Sequence, residues 1–142
     1  MAIHFHNQEI NYTLKNKIKY KNWIKIVIQK HKKNLGTINF IFTNDDLLLE
    51  KNIQFLNHNT LTDIITFDYS EDNKVNGDVF ISLDRVKENA KKFKVNFEIE
   101  LSRVIIHGVL HLCGLKDKSK LDAKNMRSAE NKALKILTNT LG

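Results

Sequence analysis

Apolar residues recur along this chain in two rhythms, and each rhythm predicts a kind of element. "IHFH" at residues 3–6 alternates apolar and polar positions and predicts a half-buried strand. Residues 14–33 carry Ile18, Trp23, Ile24, Val27 and Ile28 among many lysines, which predicts an amphipathic helix with a basic outer face. Gly36 is placed just past its end, before a buried strand, "TINFIF", at 37–42. "TNDD" at 43–46 offers capping residues for a further helix over roughly 45–56.

Two β-rich runs follow, "TDIITFDY" at 62–69 and "GDVFISL" at 77–83, with the polar loop "SEDNKVN" between them. Helical periodicity then dominates, over about 84–94, 97–113 and 119–138. The last helix opens on a Ser119-x-x-Asp122 capping signature and carries Met126, Ala129, Ala133 and Leu137 on one stripe. This order predicts an α+β fold, a small mixed sheet of about four strands packed with helices. There is no repeat and no Pro/Gly/Ser-rich linker, so residues 1–142 read as a single domain.

The helix at 97–113, "FEIELSRVIIHGVLHLC", departs from the usual amphipathic pattern. It is apolar nearly all round, as a core helix is, yet its polar residues are not scattered. At about 100° per residue, Glu100, Arg103, His107 and His111 fall within roughly 40° of one line. A polar stripe on a buried helix needs a polar environment: a cleft, a metal ion or a buried network.

The stretch "HGVLHLCGLKD" at 107–117 favours the metal. Residues at i and i+4 stand about 5–6 Å apart at Cβ, so the imidazoles of His107 and His111 can converge on one ion. Gly114 suits the left-handed turn that ends a helix, and the reversal can bring Asp117 back as a third ligand. Three protein ligands with an open position describe a catalytic zinc site, one Zn²⁺ per chain. Two histidines satisfied by ordinary hydrogen bonds are the plain alternative.

Charge and cysteine content narrow the classes further. The net charge of +7 points to a polyanionic partner such as nucleic acid. A chain this rich in Lys, Asn and Ile, with no Pro, also bears the mark of AT-rich coding, so the charge is secondary support. The lone Cys113 excludes an internal disulfide and a multi-cysteine zinc site, and it fits a reducing cytoplasm. No apolar run is long enough to span a bilayer, and no signal-peptide pattern opens the chain, so a cytoplasmic protein without membrane contact is expected.

The motif resembles two families. Zinc proteases of the metzincin type share the His-x-x-x-His-x-x-Gly-x-x-His/Asp spacing, but they use a glutamate after the first histidine as general base. Here that position is Gly108, which cannot accept a proton. The closer resemblance is to the YbeY family of bacterial endoribonucleases, or rRNA maturation factors, whose motif reads His-Gly-x-Leu-His-Leu-x-Gly-Tyr-Asp-His. This chain matches at His107, Gly108, Leu110, His111, Leu112 and Gly114. "LTDIITF" at 61–67, "NGDVFIS" at 76–82 and "MRSAE" at 126–130 are similar to further segments of that family, in its order, over about residues 55–137.

The departures are Asp117 at the third histidine position, Leu115-Lys116 in place of Tyr-Asp, and a short "LNHNTLTD" without the family's usual Tyr-Arg-Gly. Arg103 is the candidate to replace that arginine.

The resemblance implies a zinc-dependent, single-strand-specific endoribonuclease, with a zincin-like metal-binding helix near the C-terminus. It would act late in ribosomal RNA processing at the 3′ end of 16S rRNA, by metal-assisted phosphodiester hydrolysis. Its implied partners are single-stranded RNA, ribosomal RNA and the small ribosomal subunit. Lys116 and Lys118 flank Asp117 and are candidates for phosphate contacts, and the basic helix at 14–33 is a candidate to hold the RNA backbone. Two rival readings are a non-catalytic ribosome-assembly factor with a structural metal and a metzincin-like protease.

The remaining candidates have plainer expectations. His4 and His6 read as a solvent-facing strand edge and His31 as a surface residue, while His58 sits in the shortened loop where it could border the cleft. Cys113 lies about 200° around the helix from His111 and reads as a buried, inert thiol. Glu100 either orients His107 or pairs with Arg103.

Overall fold

The computed structural model describes residues 2–57 and 60–141. It contains β1 (Ala2–Asn7), α1 (Lys17–Lys30), β2 (Asn34–Thr43), α2 (Asp45–Leu56) and β3 (Ile64–Asp68). After these come β4 (Lys74–Ser82), α3 (Leu83–Phe93), α4 (Phe97–Leu112) and α5 (Lys120–Leu141). The four strands form one sheet in the order β1-β2-β4-β3. β1, β2 and β4 run parallel, and β3 pairs antiparallel with β4 at the edge. The fold is α+β, a mixed sheet packed with helices.

The register places Ile38, Phe40, Phe42, Val79 and Ile81 on one face, all buried against the helices. Trp23, Ile24 and Ile28 of α1 and Leu101, Ile105 and Leu110 of α4 complete that core. The Trp23 indole donates to the Ala133 carbonyl at 2.7 Å, which ties α1 to α5. Among the described residues no helix is long and apolar enough to cross a membrane.

Helix starts follow the capping chemistry. Asn44, Ser82 and Asn96 each accept a hydrogen bond from the backbone N–H three residues on, opening α2, α3 and α4. Ser119 does the same for Asp122 at the head of α5. The end of α4 is equally specific. Leu115 N–H donates to the Leu110 carbonyl and Gly114 N–H to that of His111, while Gly114 sits at φ +107°, a Schellman turn.

Two expectations need correction. Ile18 is 76 % exposed and lies off the buried face of α1, where Tyr20 is buried instead. Gly36 does not follow a helix end: α1 stops at Lys30, Lys32 takes the positive φ of 60°, and Gly36 lies inside β2. It lies at the register shift between Leu35 and Ile38, where a Cβ would meet the Asn76 side chain and the Val75 carbonyl. The backbone needs a glycine there for close approach rather than for a turn.

Gly108 brings α4 down onto the sheet. A Cβ at that position would stand 2.9 Å from Val79 Cγ1 and 3.0 Å from Ile64 Cδ1. Position 108 is therefore a packing point with no room for the glutamate that a metzincin protease requires.

Candidate active-site cleft

The polar stripe of α4 faces a cleft of about 340 Å³. α4 contributes Glu100, Arg103, Val104 and His107 to its wall, and α5 contributes Met126, Arg127 and Glu130. Asp63 at the entry to β3, Asn89 of α3 and Asp117 from the loop after α4 close the remaining sides. An otherwise apolar helix carries these groups because α5 supplies them with partners.

Glu130 is the hub. Its carboxylate accepts from His107 Nδ1 at 2.7 Å and from Arg103 Nη1 at 3.0 Å, with Arg127 Nη1 at 3.8 Å. The residue is 5 % exposed, so these charges meet largely away from water. Arg103 also donates to Asn131 Oδ1 at 3.0 Å. The other ring nitrogen of His107, Nε2, lies 3.3 Å from Asp117 Oδ2.

The direction in which each group's pKa moves follows from these contacts. Burial pulls His107 down, but the hydrogen bond and charge of Glu130, with Asp117 and Asp63, outweigh it and leave its pKa above the usual value. Burial pushes Glu130 up, yet His107 and Arg103 overcome this and hold it below the usual carboxylate range. The neighbouring acids behave oppositely. Burial raises Asp63, and burial with the Asp63 charge raises Glu100, so both hold protons more tightly than free carboxyls. The cleft thus sets a carboxylate whose ionised form is favoured and an imidazole whose protonated form is favoured beside two acids of raised pKa, an arrangement suited to proton transfer.

The zinc expectation is corrected here. Among the described residues no three His, Cys, Asp or Glu side chains come together to hold a metal ion. Both nitrogens of His107 already face carboxylates, Glu130 at 2.7 Å from Nδ1 and Asp117 at 3.3 Å from Nε2. His111, one turn further along α4, lies outside the cleft wall, with its Nδ1 buried and without a hydrogen-bond partner among the described residues. Spacing set the two histidines on one side of the helix, but Glu130 and Asp117 took the first of them.

The other candidates are readily placed. Lys116 and Lys118 are exposed beside Asp117 and do not line the cleft. His4 and His6 are exposed on β1, and His6 Nε2 lies 3.1 Å from Asn39 Oδ1. His31 is half-buried at the end of α1. Cys113 is buried, and burial pushes its thiol up to about 11, so it is unreactive as expected for a core thiol. His58 lies outside the described residues.

Glu130, Arg127 and Asp63 carry the cleft's electrostatics without having been singled out for it. Ala123, Met126, Arg127 and Glu130 do follow the i, i+3, i+4, i+7 rhythm of one helix face. That rhythm marks a contact face, although not the helix it meets. Asp63 has no comparable local signal.

Comparison with known proteins bears on this cleft. The profile of the family described as endoribonuclease YbeY matches residues 3–138. The endoribonuclease YbeY of Flavobacterium psychrophilum is 53 % identical over 130 residues, covering 92 % of this chain and 93 % of the relative. That of Parabacteroides distasonis is 47 % identical over 137 residues, covering 96 % of each. A solution structure of a Thermotoga maritima protein superposes with a TM-score of 0.65 at 26 % identity, over 99 % of this chain and 94 % of that one.

Proposed function

The chain belongs to the endoribonuclease YbeY family, and on that premise we propose that it is an endoribonuclease acting on single-stranded RNA in ribosomal RNA maturation. Its site is the cleft between α4 and α5, and processing near the 3′ end of the small-subunit RNA is the role assigned to it. The observation that carries this reading is the 2.7 Å hydrogen bond from His107 to the buried Glu130, with Arg103 on the same carboxylate. That contact orients an imidazole as a proton carrier at the wall of a water-accessible cleft lined by both acids and arginines.

The chain's own residues divide the work. His107, oriented through Nδ1, presents Nε2 where Asp117 now sits, and Asp117 is exposed enough to give way to a phosphate oxygen. Water attacks phosphorus and the bond to the leaving ribose oxygen breaks. His107 gives its proton to that oxygen, and Asp117 takes the proton released by the water. Arg103 and Arg127 offset charge on the non-bridging oxygens. Lys116 and Lys118 hold flanking phosphates at the cleft mouth.

The test is cleavage of single-stranded RNA by the purified chain beside His107→Ala and Glu130→Gln. Cleavage in wild type that falls by on the order of a hundredfold or more in both variants, with RNA binding retained, supports the assignment. Tight RNA binding with no turnover in wild type would overturn it in favour of a non-catalytic assembly role.

A further inference from the structure

The five ion pairs among the described residues use Arg85, Arg103, Arg127 and His107 as their cations, and none uses a lysine. The positive charge of the lysines is therefore available to an external anion, and its placement indicates where one would bind.

One concentration lies away from the cleft. Where α1 packs on α5 there is a second groove of about 380 Å³. Lys30 and His31 from the end of α1 line one side, with Asn125, Ser128 and Lys132 of α5 on the other, over an apolar floor. Among the described residues no carboxylate lines it. Lys30 is well placed to offset the partial negative charge of the α1 C-terminus, but that accounts for neither Lys132 nor the absence of acids. The His31 imidazole is held below its usual pKa, first by burial and then by the charge of Lys132, a sign that the potential between them is not neutralised.

α5 separates the groove from the cleft. Arg127 and Glu130 line the cleft, while Ser128 and Lys132 line the groove. A strand leaving the cleft would need only to cross one helix, over the exposed Lys124, Arg127 and Asn131, to reach it.

We propose that the α1–α5 groove is a second phosphate-backbone site for single-stranded RNA, holding the strand across α5 from the cleft. Lys30 and Lys132 neutralise phosphates, His31, Asn125 and Ser128 donate to their oxygens, and the apolar floor takes ribose and base faces. The proposal rests on the RNA-cleaving reading above for its ligand, though not on catalysis.

The experiment measures binding of a long single-stranded oligoribonucleotide, at several salt concentrations, to the full chain and to two double variants of equal charge. One is Lys30→Gln/Lys132→Gln in the groove. The other is Lys87→Gln/Lys91→Gln on exposed positions of α3. The groove variant should bind on the order of tenfold more weakly at 0.1 M salt, with a salt slope smaller by about 1.4. The control variant should change much less, and cleavage of a tetranucleotide that fills only the cleft should be unaffected in both. Equal losses in the two variants would overturn the proposal, since net charge alone would then explain them. Competition by poly-glutamate as strong as by RNA would also overturn it, in favour of an acidic peptide. If wild type cleaves no RNA but the groove variant alone loses binding, the catalytic reading fails and the groove assignment stands.

Discussion

His107 on α4 and Glu130 on α5 meet through a 2.7 Å hydrogen bond between Nδ1 and Oε2, at the contact of the two helices that form the cleft. The same carboxylate holds Arg103 at 3.0 Å. One buried acid therefore sets the orientation of the imidazole, the position of the guanidinium and the docking of α5.

Removing that acid should be costly. Glu130→Ala leaves Arg103 and His107 facing a cavity without their shared counter-charge, and a loss of about 3 kcal/mol is expected. Urea denaturation of wild type and variant measures it. A change below about 1 kcal/mol would mean that water replaces the carboxylate, and Glu130 would lose its place as the hub.

The pair should also leave a pH signature with two edges. His107 has a raised folded pKa, so its contribution is complete below its unfolded value of 6.5 and is lost as pH rises through the folded one. Glu130 has a lowered folded pKa, so its contribution is complete above its unfolded value of 4.5 and is lost as pH falls through the folded one. The stability difference between wild type and His107→Gln should be greatest between those two values. A difference independent of pH would show that packing, and not charge, dominates at this contact.

Glu100 should behave in the opposite sense. Burial and the charge of Asp63 raise its pKa, so ionising it costs stability as pH rises past its unfolded range. Glu100→Gln is expected to stabilise the protein at neutral pH and to leave it nearly unchanged in acid. Thermal melts at both pH values check this, and destabilisation at neutral pH would assign Glu100 to an ion pair with Arg103.

Gly108→Ala tests the close approach of α4 to the sheet. Alanine gains about 1 kcal/mol of helix propensity, but its Cβ would crowd Val79 at 2.9 Å and Ile64 at 3.0 Å, and overpacking costs about 1–3 kcal/mol. Net destabilisation is expected, with partial rescue by Val79→Ala. Because Ile64 also lines the cleft, RNA turnover should fall as well. A more stable Gly108→Ala protein would show that the sheet yields.

Lys116→Gln/Lys118→Gln should raise KM for single-stranded RNA several-fold and flatten its salt dependence, with kcat nearly unchanged. A fall in kcat at constant KM would place one of these lysines at the reacting phosphate instead.

Much of the architecture was readable along the chain. Trp23, Ile24, Val27 and Ile28 mark the buried face of α1, and Asn44, Ser119 and Gly114 mark helix ends, because periodicity and capping act over one or two turns. Ile18 and Gly36 misled for related reasons. An apolar residue at the first turn of α1 need not reach the core. A glycine near a helix end is also ambiguous until its neighbour across the sheet, here Asn76, is known.

The polar stripe of α4 was visible as well, and with it the need for a polar environment around Glu100, Arg103 and His107. What fills that environment was decided by tertiary contact. His107 and Glu130 lie 23 residues apart on different helices, and no local rhythm couples them. The spacing of His107 and His111 determines only that they share a side of one helix. Which ring nitrogen is free depends on the groups that fold against it, and the approach of α5 and of Asp117 supplies a carboxylate to each nitrogen of His107. Elements and faces are local consequences of sequence, whereas the charge state and partners of a side chain depend on which distant segment excludes water from it.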